Sequence, residues 1–316
     1  MGTPRFYRHA LEALQRAVSS WQATEKLGVV LHLGDILDGL QANAGRDASE
    51  AALSRVLDAF SVLEDAGISV KHCIGNHCLI NLPRERLHSR LGITVAEHGG
   101  GAACYTFAPH AGFRVVVLDS YDLSVIGWPD GHERQVLASS ILAAKNSNSN
   151  KNSPEGLEGL DRRFVAFGGG LSTHQLSWLD DTLQAADAAR ERVFVAIHTP
   201  VCPDSAPAVC LSWHYDEVLT ICGRHPSCVA TLAGHAHGGG YACDAAGIHH
   251  FVFPAVLECP PGENAFGHID IWEDSFCIAG SGRLSTTPVL KYRPWADAGS
   301  TQADALADEL KARVRL

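Results

Sequence analysis

Five short runs of apolar residues, many of them β-branched, constrain the fold of this 316-residue chain more than any other feature. Each run is bounded by glycine or by polar residues, as is typical of strands that are buried on both faces of a parallel sheet. The runs are LGVVLHLG (27–34), ISVKHCIG (68–75), FRVVVLDS (113–120), RVFVAIH (192–198) and CVATLAG (228–234). They predict the strands of a largely parallel sheet.

Stretches with the periodicity of amphipathic helices alternate with these strands. They cover residues 5–23, 48–66, 132–144, 173–188 and 213–222. Alternating strands and helices indicate βαβ units and an α/β fold. From about residue 241 short strands separated by turns indicate a second sheet, antiparallel or mixed. The sequence contains no internal repeat, so we predict one domain over 1–295 and a peripheral C-terminal helix or tail over 296–316.

The charge balance argues against some classes of partner. Lysine and arginine number 25 against 35 acidic residues, a net charge of −10, which disfavours nucleic acid and anionic membranes. The opening MGTPRFYRHALEAL lacks the apolar segment of a signal peptide, and no run of 18 apolar residues occurs. The ten cysteines include no C-x-x-C pair. We therefore expect a cytoplasmic monomer with free thiols that acts on a small molecule.

Two glycine-rich or polar stretches do not fit this alternation. AAKNSNSNKNSPEGLEG (143–159) is read as a surface loop, with a lid beside the active site as the alternative. The glycine triplet at 168–170 lacks the lysine and glycine spacing of a phosphate-binding P-loop, so it predicts a turn.

Residues that can bind metal follow four of the predicted strands. Asp35 follows the first strand, Asn76 the second and His198 the fourth, while His235 and His237 follow the fifth in LAGHAHGGGY. Alone, each residue is more readily explained as a turn former, a helix cap or a satisfied polar group. Together they point to one edge of the sheet, because ligands bind at the carboxyl ends of strands in open α/β sheets.

Mixed oxygen and nitrogen ligands suit manganese, iron or zinc and argue against a thiolate site. Two metals about 3.5–4 Å apart can hold a phosphoryl group and activate a water molecule between them. A shared carboxylate is the natural bridge, for which Asp35 is the candidate. Two histidines separated by one residue, His235 and His237, can serve different metals because alternate side chains of an extended segment lie on one side.

The motifs GDILDG, GNHC, AIHTP and GHAH resemble, in order, four motif blocks of the calcineurin-like metallophosphoesterases. From about Arg5 to about residue 290 the chain is similar to the manganese-dependent ADP-ribose/CDP-alcohol diphosphatases within that superfamily. The resemblance rests on segments such as RFYRHALEALQRAV, IGNHCLINLPRERL and GIHHFVFPAVLECPPGENAFGHIDIW.

The resemblance implies a four-layer fold in which two mixed β-sheets pack face to face between outer helices. It also implies hydrolysis of the pyrophosphate in ADP-ribose or CDP-choline, with two Mn²⁺ ions, giving AMP or CMP and a phosphorylated sugar or alcohol. Six residues would carry these roles: Asp35 as the metal bridge, Asn76, His198 and His235 on one metal, His237 on the other, and His77 near the leaving group. For His77 a purely structural hydrogen bond is the alternative, and Asp38 is expected to support the ligands.

One motif block of the family is missing from this sequence. The D-x-H or D-x-Q block, which ends the family's first strand upstream of the helix near Arg5, has no counterpart. We therefore expect the fold to lack that strand, either as a truncated gene product or as a folded but impaired protein. The metal shared by Asp35 and His237 would lose ligands, so we expect one manganese to bind better than two and diphosphatase activity to be low or absent. Cys78 and Ala236 also depart from the superfamily pattern, at positions that are not ligands.

Selection of one substrate over another requires a pocket for the base or the alcohol. The loops 199–215 and 257–266 follow strand ends and combine proline with aromatic residues. Trp213 and Phe266 are candidates for stacking on a base and Cys210 for lining the pocket, with ordinary core packing as the alternative for each. Two other functions stay open: a phosphomonoesterase or protein phosphatase on the same site, and a non-catalytic nucleotide-binding isoform.

Overall fold

A computed structural model of the protein describes residues 4–95, 100–295 and 314–316. The α-helices are α1 (Tyr7–Gln22), α2 (Arg46–Asp65), α3 (Asn76–Asn81), α4 (Arg84–Arg90), α5 (Glu133–Lys145), α6 (Thr173–Ala189) and α7 (Tyr215–Arg224). The first strands are β1 (Val29–His32), β2 (Ser69–His72), β3 (Tyr105–His110), β4 (Phe113–Leu118), β5 (Arg192–Ile197) and β6 (Cys228–Ala233). The later strands are β7 (Gly240–Cys243), β8 (His249–Val252), β9 (Ala265–Ile271), β10 (Ser275–Gly282), β11 (Leu290–Lys291) and β12 (Val314–Arg315).

Two layers of sheet lie face to face. One is a mixed sheet in the order β3-β4-β5-β6-β8-β7, in which β4, β5, β6 and β8 run parallel. The other contains the antiparallel sheet β11-β10-β9-β12 and the parallel pair β1-β2. Phe194 of β5 and Phe276 of β10 meet edge to face between the layers, with ring centroids 5.4 Å apart. An apolar core therefore joins the two layers.

Helices cover both outer faces. On the six-stranded sheet, Leu179 and Leu183 of α6 and Val218 of α7 pack in one buried cluster with Val195 of β5. On the other side, α1 and α2 pack over β1 and β2, where Phe60 of α2 lies edge to face with His72. The resulting order of helix, sheet, sheet and helix confirms the predicted four-layer sandwich.

The predicted strands and long helices agree with the structure to within a few residues, but one expectation needs correction, some elements were not predicted and one prediction is not tested. The segment around His249 was expected in the second sheet, yet β8 pairs in parallel with β6 and β7 pairs with β8, so both extend the first sheet. The short helices α3 and α4 and the strand β3 were not predicted. The predicted peripheral helix over 296–316 lies outside the described residues except for 314–316, which contain β12.

The polar segment 143–159 is held to the core at its start. Asn146 is fully buried, and its side-chain nitrogen donates to the carbonyl oxygen of Phe164 at 2.7 Å. Its side-chain oxygen accepts from the backbone N–H of Asn148 at 2.9 Å. These bonds fix the start of the loop to the chain at Phe164, which favours the reading as a structural surface loop.

All ten cysteines are unpaired, and most of them are buried, as expected. Among the described residues, no helix combines the length and the apolar character that crossing a membrane requires.

The burial of His72 predicts that the folded protein loses stability in acid. Burial in the core first, and then the charge of His32, lower the pKa of His72 from 6.5 to about 3. The unfolded chain takes up this proton as the pH falls below 6.5 whereas the folded chain does not, so stability is lost between pH 6.5 and 3. Between pH 7 and pH 5, protonation of this one group in the unfolded chain should lower the free energy of unfolding by about 2 kcal/mol.

The substitution His72→Phe removes the titrating group and keeps a ring of similar size. We expect it to reduce the loss of stability between pH 7 and pH 5, measured by urea unfolding at both pH values. His174→Phe, at an exposed position of α6, is the matched control and should leave the pH dependence unchanged. Equal pH dependence in all three chains would contradict the assignment.

Candidate metal centre

Three of the predicted ligands converge where the two sheet layers meet. Asp35 follows β1, His198 follows β5 and His235 follows β6, and ligand atoms of all three lie within 4.8 Å of one another. Nε2 of His198 is 3.4 Å from Oδ2 of Asp35 and 3.2 Å from Nδ1 of His235. A cation that binds one carboxylate and two imidazoles fits between these atoms.

The backbone turns sharply at this centre. Asp35 and His235 adopt left-handed conformations, with φ of 54° and 62°, which residues other than glycine seldom do. A Cβ atom at Gly75 would overlap the carboxylate of Asp35, and one at Gly34 would overlap the ring of His198. The predicted role of the neighbouring glycines is therefore close approach of backbone to ligand. Backbone strain of this kind clusters at functional sites because the surrounding fold must hold it.

Hydrogen bonds orient the ligands toward one another. Nδ1 of His198 lies 2.7 Å from the carbonyl oxygen of Leu33, and since a carbonyl only accepts, the ring donates from Nδ1. The lone pair of Nε2 on the neutral ring then points toward Asp35. Oδ1 of Asp35 accepts the backbone N–H of His77 at 2.9 Å, at the start of α3. Both residues are thus held in the geometry that metal ligands need.

Burial and the charges of neighbouring groups shift the pKa values of these three residues. Burial first, and then the charge of His198, lower the pKa of His235 to about 3, so its imidazole is neutral at physiological pH. Burial opposes ionisation of Asp35, but the imidazoles of His198, His77 and His235 outweigh it and hold its pKa below the usual value. Burial likewise opposes protonation of His198, and the charge of Asp35 outweighs it to raise its pKa. An ionised carboxylate together with imidazole nitrogens is the donor set that Mn²⁺, Fe²⁺ or Zn²⁺ takes, and a bound metal displaces the proton from the imidazole nitrogen that it occupies.

The two other predicted ligands lie beside this cluster. Asn76 is the first residue of α3 and is buried, and its Oδ1 accepts from the hydroxyl of Tyr121 at 3.2 Å. His237 borders the same cavity as Asp35, but its Nδ1 lies 2.8 Å from Oε1 of Glu258. Metal binding by Asn76 and His237 stays a prediction.

His77 and Asp38 form the wall of the site next to Asp35. Nδ1 of His77 accepts the backbone N–H of Gly39 at 2.9 Å and lies 3.6 Å from Oδ2 of Asp38. Oδ1 of Asp38 accepts from Leu40 N–H at 2.8 Å. Asp38 thus lies beside His77, and its support of the metal ligands stays a prediction.

The three predicted substrate-binding residues occupy different environments. Trp213 is 1% exposed and packs against Phe164 in a core cluster, so it offers no free ring face to a base. Cys210 is partly buried at the edge of the α6–α7 core. Phe266 of β9 lies edge to face with Trp21 and borders a cavity that opens at the metal centre. The burial of Trp213 disfavours its predicted role, and the other two roles stay predictions.

Two residues near the centre escaped sequence reasoning. The ring of Phe167 lies 5.9 Å from that of His235, at the start of the glycine triplet read only as a turn. Arg5 places Nη1 3.6 Å from Oδ2 of Asp38, although α1 was read only for its apolar face. Their proximity to the site depends on tertiary contacts that local sequence patterns do not contain.

Comparisons with known proteins agree with this geometry. No model of a known protein family matches the chain. A rice protein (Oryza sativa subsp. japonica) named manganese-dependent ADP-ribose/CDP-alcohol diphosphatase is 44% identical over 91% of this chain and 87% of its own length. Proteins of that name from Arabidopsis thaliana and Homo sapiens are 43% and 37% identical, over 91% and 89% of this chain and 89% and 83% of their own lengths.

A solved structure extends the comparison to three dimensions. The crystal structure of a dimetal phosphatase from Danio rerio superposes with a TM-score of 0.85 at 37% identity, covering 92% of this chain and 91% of that one. The similarity therefore spans the fold as well as the sequence.

Proposed function

We propose that this chain, which belongs to the family of manganese-dependent ADP-ribose/CDP-alcohol diphosphatases, hydrolyses the diphosphate link of ADP-ribose and CDP-alcohols such as CDP-choline. The products would be AMP or CMP and a phosphorylated sugar or alcohol. The observation that carries this proposal is the convergence of Asp35, His198 and His235 within 4.8 Å. A net charge of −10 makes such a local cation the means of attracting an anionic diphosphate.

Asp35, His198 and His235 would hold the manganese, which when bound polarises a phosphoryl group and lowers the pKa of a coordinated water. The chain's own part is to fix these ligands. His198 is held by Leu33, and Asp35 by the N–H of His77. Because these contacts are made by backbone groups, the ligands are positioned before a substrate arrives.

We infer that His77 supplies a proton. Its Nδ1 accepts the N–H of Gly39, so on the neutral ring the proton sits on Nε2. An Nε2–H beside the metal centre can donate to the oxygen that leaves when the diphosphate is cleaved. A side chain that is 21% exposed can also exchange this proton with solvent.

Phe167 and Arg5 are the substrate contacts that we infer, in addition to the predicted Phe266 and Cys210. The ring of Phe167 stands next to His235 and is only partly buried, so one face can stack on a base. The side chain of Arg5 is 39% exposed, and its guanidinium can turn from Asp38 toward a phosphate oxygen.

We infer that one manganese binds more tightly than a second. Among the described residues, one cluster gathers three acidic or imidazole side chains, whereas His237 is engaged with Glu258. A second ion would share Asp35 and take His237, with fewer protein ligands.

We further propose a cytoplasmic, monomeric enzyme that needs neither nucleic acid nor membrane, since its thiols are unpaired as in a reducing compartment.

The decisive assay supplies ADP-ribose, CDP-choline and p-nitrophenyl phosphate separately, with Mn²⁺ or with EDTA. We expect Mn²⁺-dependent release of AMP and CMP, measured by ion-exchange chromatography. Hydrolysis of p-nitrophenyl phosphate alone would replace the proposal with a phosphomonoesterase. A rise in melting temperature with ADP-ribose but no product would replace it with a nucleotide-binding protein.

A further inference from the structure

The carboxylate of Glu258 contacts His237, the predicted histidine ligand that lies outside the cluster of three. Glu258 ends a short 3₁₀ turn, Val256–Glu258, and its side chain is 9% exposed. Burial of a carboxylate is unfavourable unless partners satisfy its oxygens. The partners of Glu258 therefore indicate the role of this side chain.

One oxygen of Glu258 sets which nitrogen of His237 is free. Oε1 lies 2.8 Å from Nδ1 of His237, and since a carboxylate oxygen accepts, the imidazole donates from Nδ1. The lone pair of the neutral ring is then on Nε2. His237 borders the same cavity as Asp35 and its side chain is 24% exposed, so Nε2 is the nitrogen left for a metal ion there.

Backbone hydrogen bonds hold these two side chains next to each other. The N–H of Ala255 donates to the carbonyl oxygen of His237 at 3.0 Å, and the N–H of Glu258 donates to the carbonyl oxygen of Ala255 at 3.2 Å. The carbonyl oxygen of Leu257 accepts from the N–H of Phe6 at 2.7 Å. The contact between Glu258 and His237 is therefore set by the fold of the chain around it.

The other oxygen of Glu258 faces a cation. Oε2 lies 3.9 Å from Nη1 of Arg283, and this nitrogen is buried without a hydrogen-bond partner among the described residues. The backbone N–H of Arg283 donates to the carbonyl oxygen of Asn264 at 2.8 Å, which fixes the start of the side chain. A guanidinium stays charged in proteins, so the carboxylate lies between a permanent positive charge and the imidazole.

A carboxylate in this position strengthens a metal ligand. An imidazole that donates its other N–H to an acceptor is fixed in orientation, and the nitrogen that binds the metal becomes more basic. His198 has a neutral acceptor of this kind, the carbonyl oxygen of Leu33. Glu258 gives His237 a charged acceptor, and hydrogen bonds to charged groups are the stronger kind.

We propose that Glu258 is a positioning residue for the second, weaker manganese ion. It keeps the proton of His237 on Nδ1 and so leaves Nε2 for the ion that would share Asp35. Arg283 compensates the charge of Glu258 and holds its second oxygen. The inference rests on the proposed two-metal hydrolase, but it concerns the binding of metal and not the choice of substrate.

Glu258→Gln tests the role of the carboxylate, because glutamine keeps the size of the side chain without its charge. We expect the affinity for the second manganese ion to fall by ~10–100-fold while the tighter ion is affected little. Titration calorimetry with Mn²⁺ alone measures both sites. Glu263→Gln is the matched control, an exposed carboxylate in the same loop, and it should leave both affinities unchanged.

A second measurement needs neither metal nor a variant that folds differently. Long-range ¹H–¹⁵N NMR spectra of the metal-free chain at pH 8, above the ordinary pKa of imidazole, report which ring nitrogen carries the proton. The signals of His237 are identified by their loss in His237→Asn. We expect Nδ1 to be protonated and Nε2 to be bare in the unsubstituted chain, and the proton to shift at least partly to Nε2 in Glu258→Gln.

Two results would overturn the inference. One is an unchanged affinity of Glu258→Gln for the second manganese ion, and the other is a proton on Nε2 of His237 in the unsubstituted chain. The outcome of the substrate assay is separate from both. A chain that shows the expected metal affinities and the proton on Nδ1 but releases no AMP or CMP would refute the proposed function and support the role of Glu258.

Discussion

Asp35→Asn is expected to lower Mn²⁺ affinity by at least ~100-fold and ADP-ribose turnover on the order of 10³-fold. Asp35 is the carboxylate of the three-residue cluster, so it supplies the negative charge that the two imidazoles lack. An asparagine oxygen keeps the shape of the side chain without that charge. Because asparagine tolerates left-handed backbone well, φ of 54° should not prevent folding.

Titration calorimetry with Mn²⁺ and the AMP-release assay measure both effects. The unsubstituted chain should show one tight site, and two equally tight sites would contradict the inference about the second metal. Asp38→Asn is the comparison variant, because Asp38 bonds Leu40 and lies outside the three-residue cluster, so it should affect turnover by no more than ~100-fold. Manganese affinity of Asp35→Asn within about threefold of the parent would remove Asp35 from the site.

The sequence allowed the convergence of the three clustered side chains to be predicted because their positions follow local rules. Asp35, His198 and His235 each come directly after a buried apolar run, and parallel strands bring such positions to one edge. The glycines at 34 and 75 gave a further local signal, which the structure explains by the space that the ligands occupy. Alternating strands and helices similarly sufficed for the layered fold.

Other features depend on contacts between distant segments. The run at 249–252 reads equally well as a strand of either sheet, and only its parallel pairing with β6 decides the matter. The buried position of Trp213 follows from Phe164, some fifty residues away, which no periodicity reveals. The short helices α3 and α4 flank Pro83, and at this length neither shows two full periods.

A buried ion pair is linked by hydrogen bonds to the predicted metal site. Arg84 is 2% exposed, pairs with the fully buried Asp119 and donates to the carbonyl of Tyr121 at 2.9 Å. Its guanidinium also stacks on the ring of Trp128, 4.1 Å from the centroid. Asp119 in turn accepts the N–H of Tyr121, whose hydroxyl bonds Asn76. The ion pair therefore connects the core to a predicted metal ligand.

Arg84→Met should accordingly lower the free energy of unfolding by about 3–5 kcal/mol, because the buried carboxylate of Asp119 loses its partner. Urea unfolding at pH 7 measures the change. Arg86→Met is the matched control two residues along α4: Arg86 is exposed and pairs with Glu50 at the surface, so no measurable change is expected. Equal midpoints for the two variants would mean that the Arg84–Asp119 pair contributes nothing to stability. A destabilised Arg84→Met that keeps full manganese affinity would show that the pair holds the core without positioning Asn76.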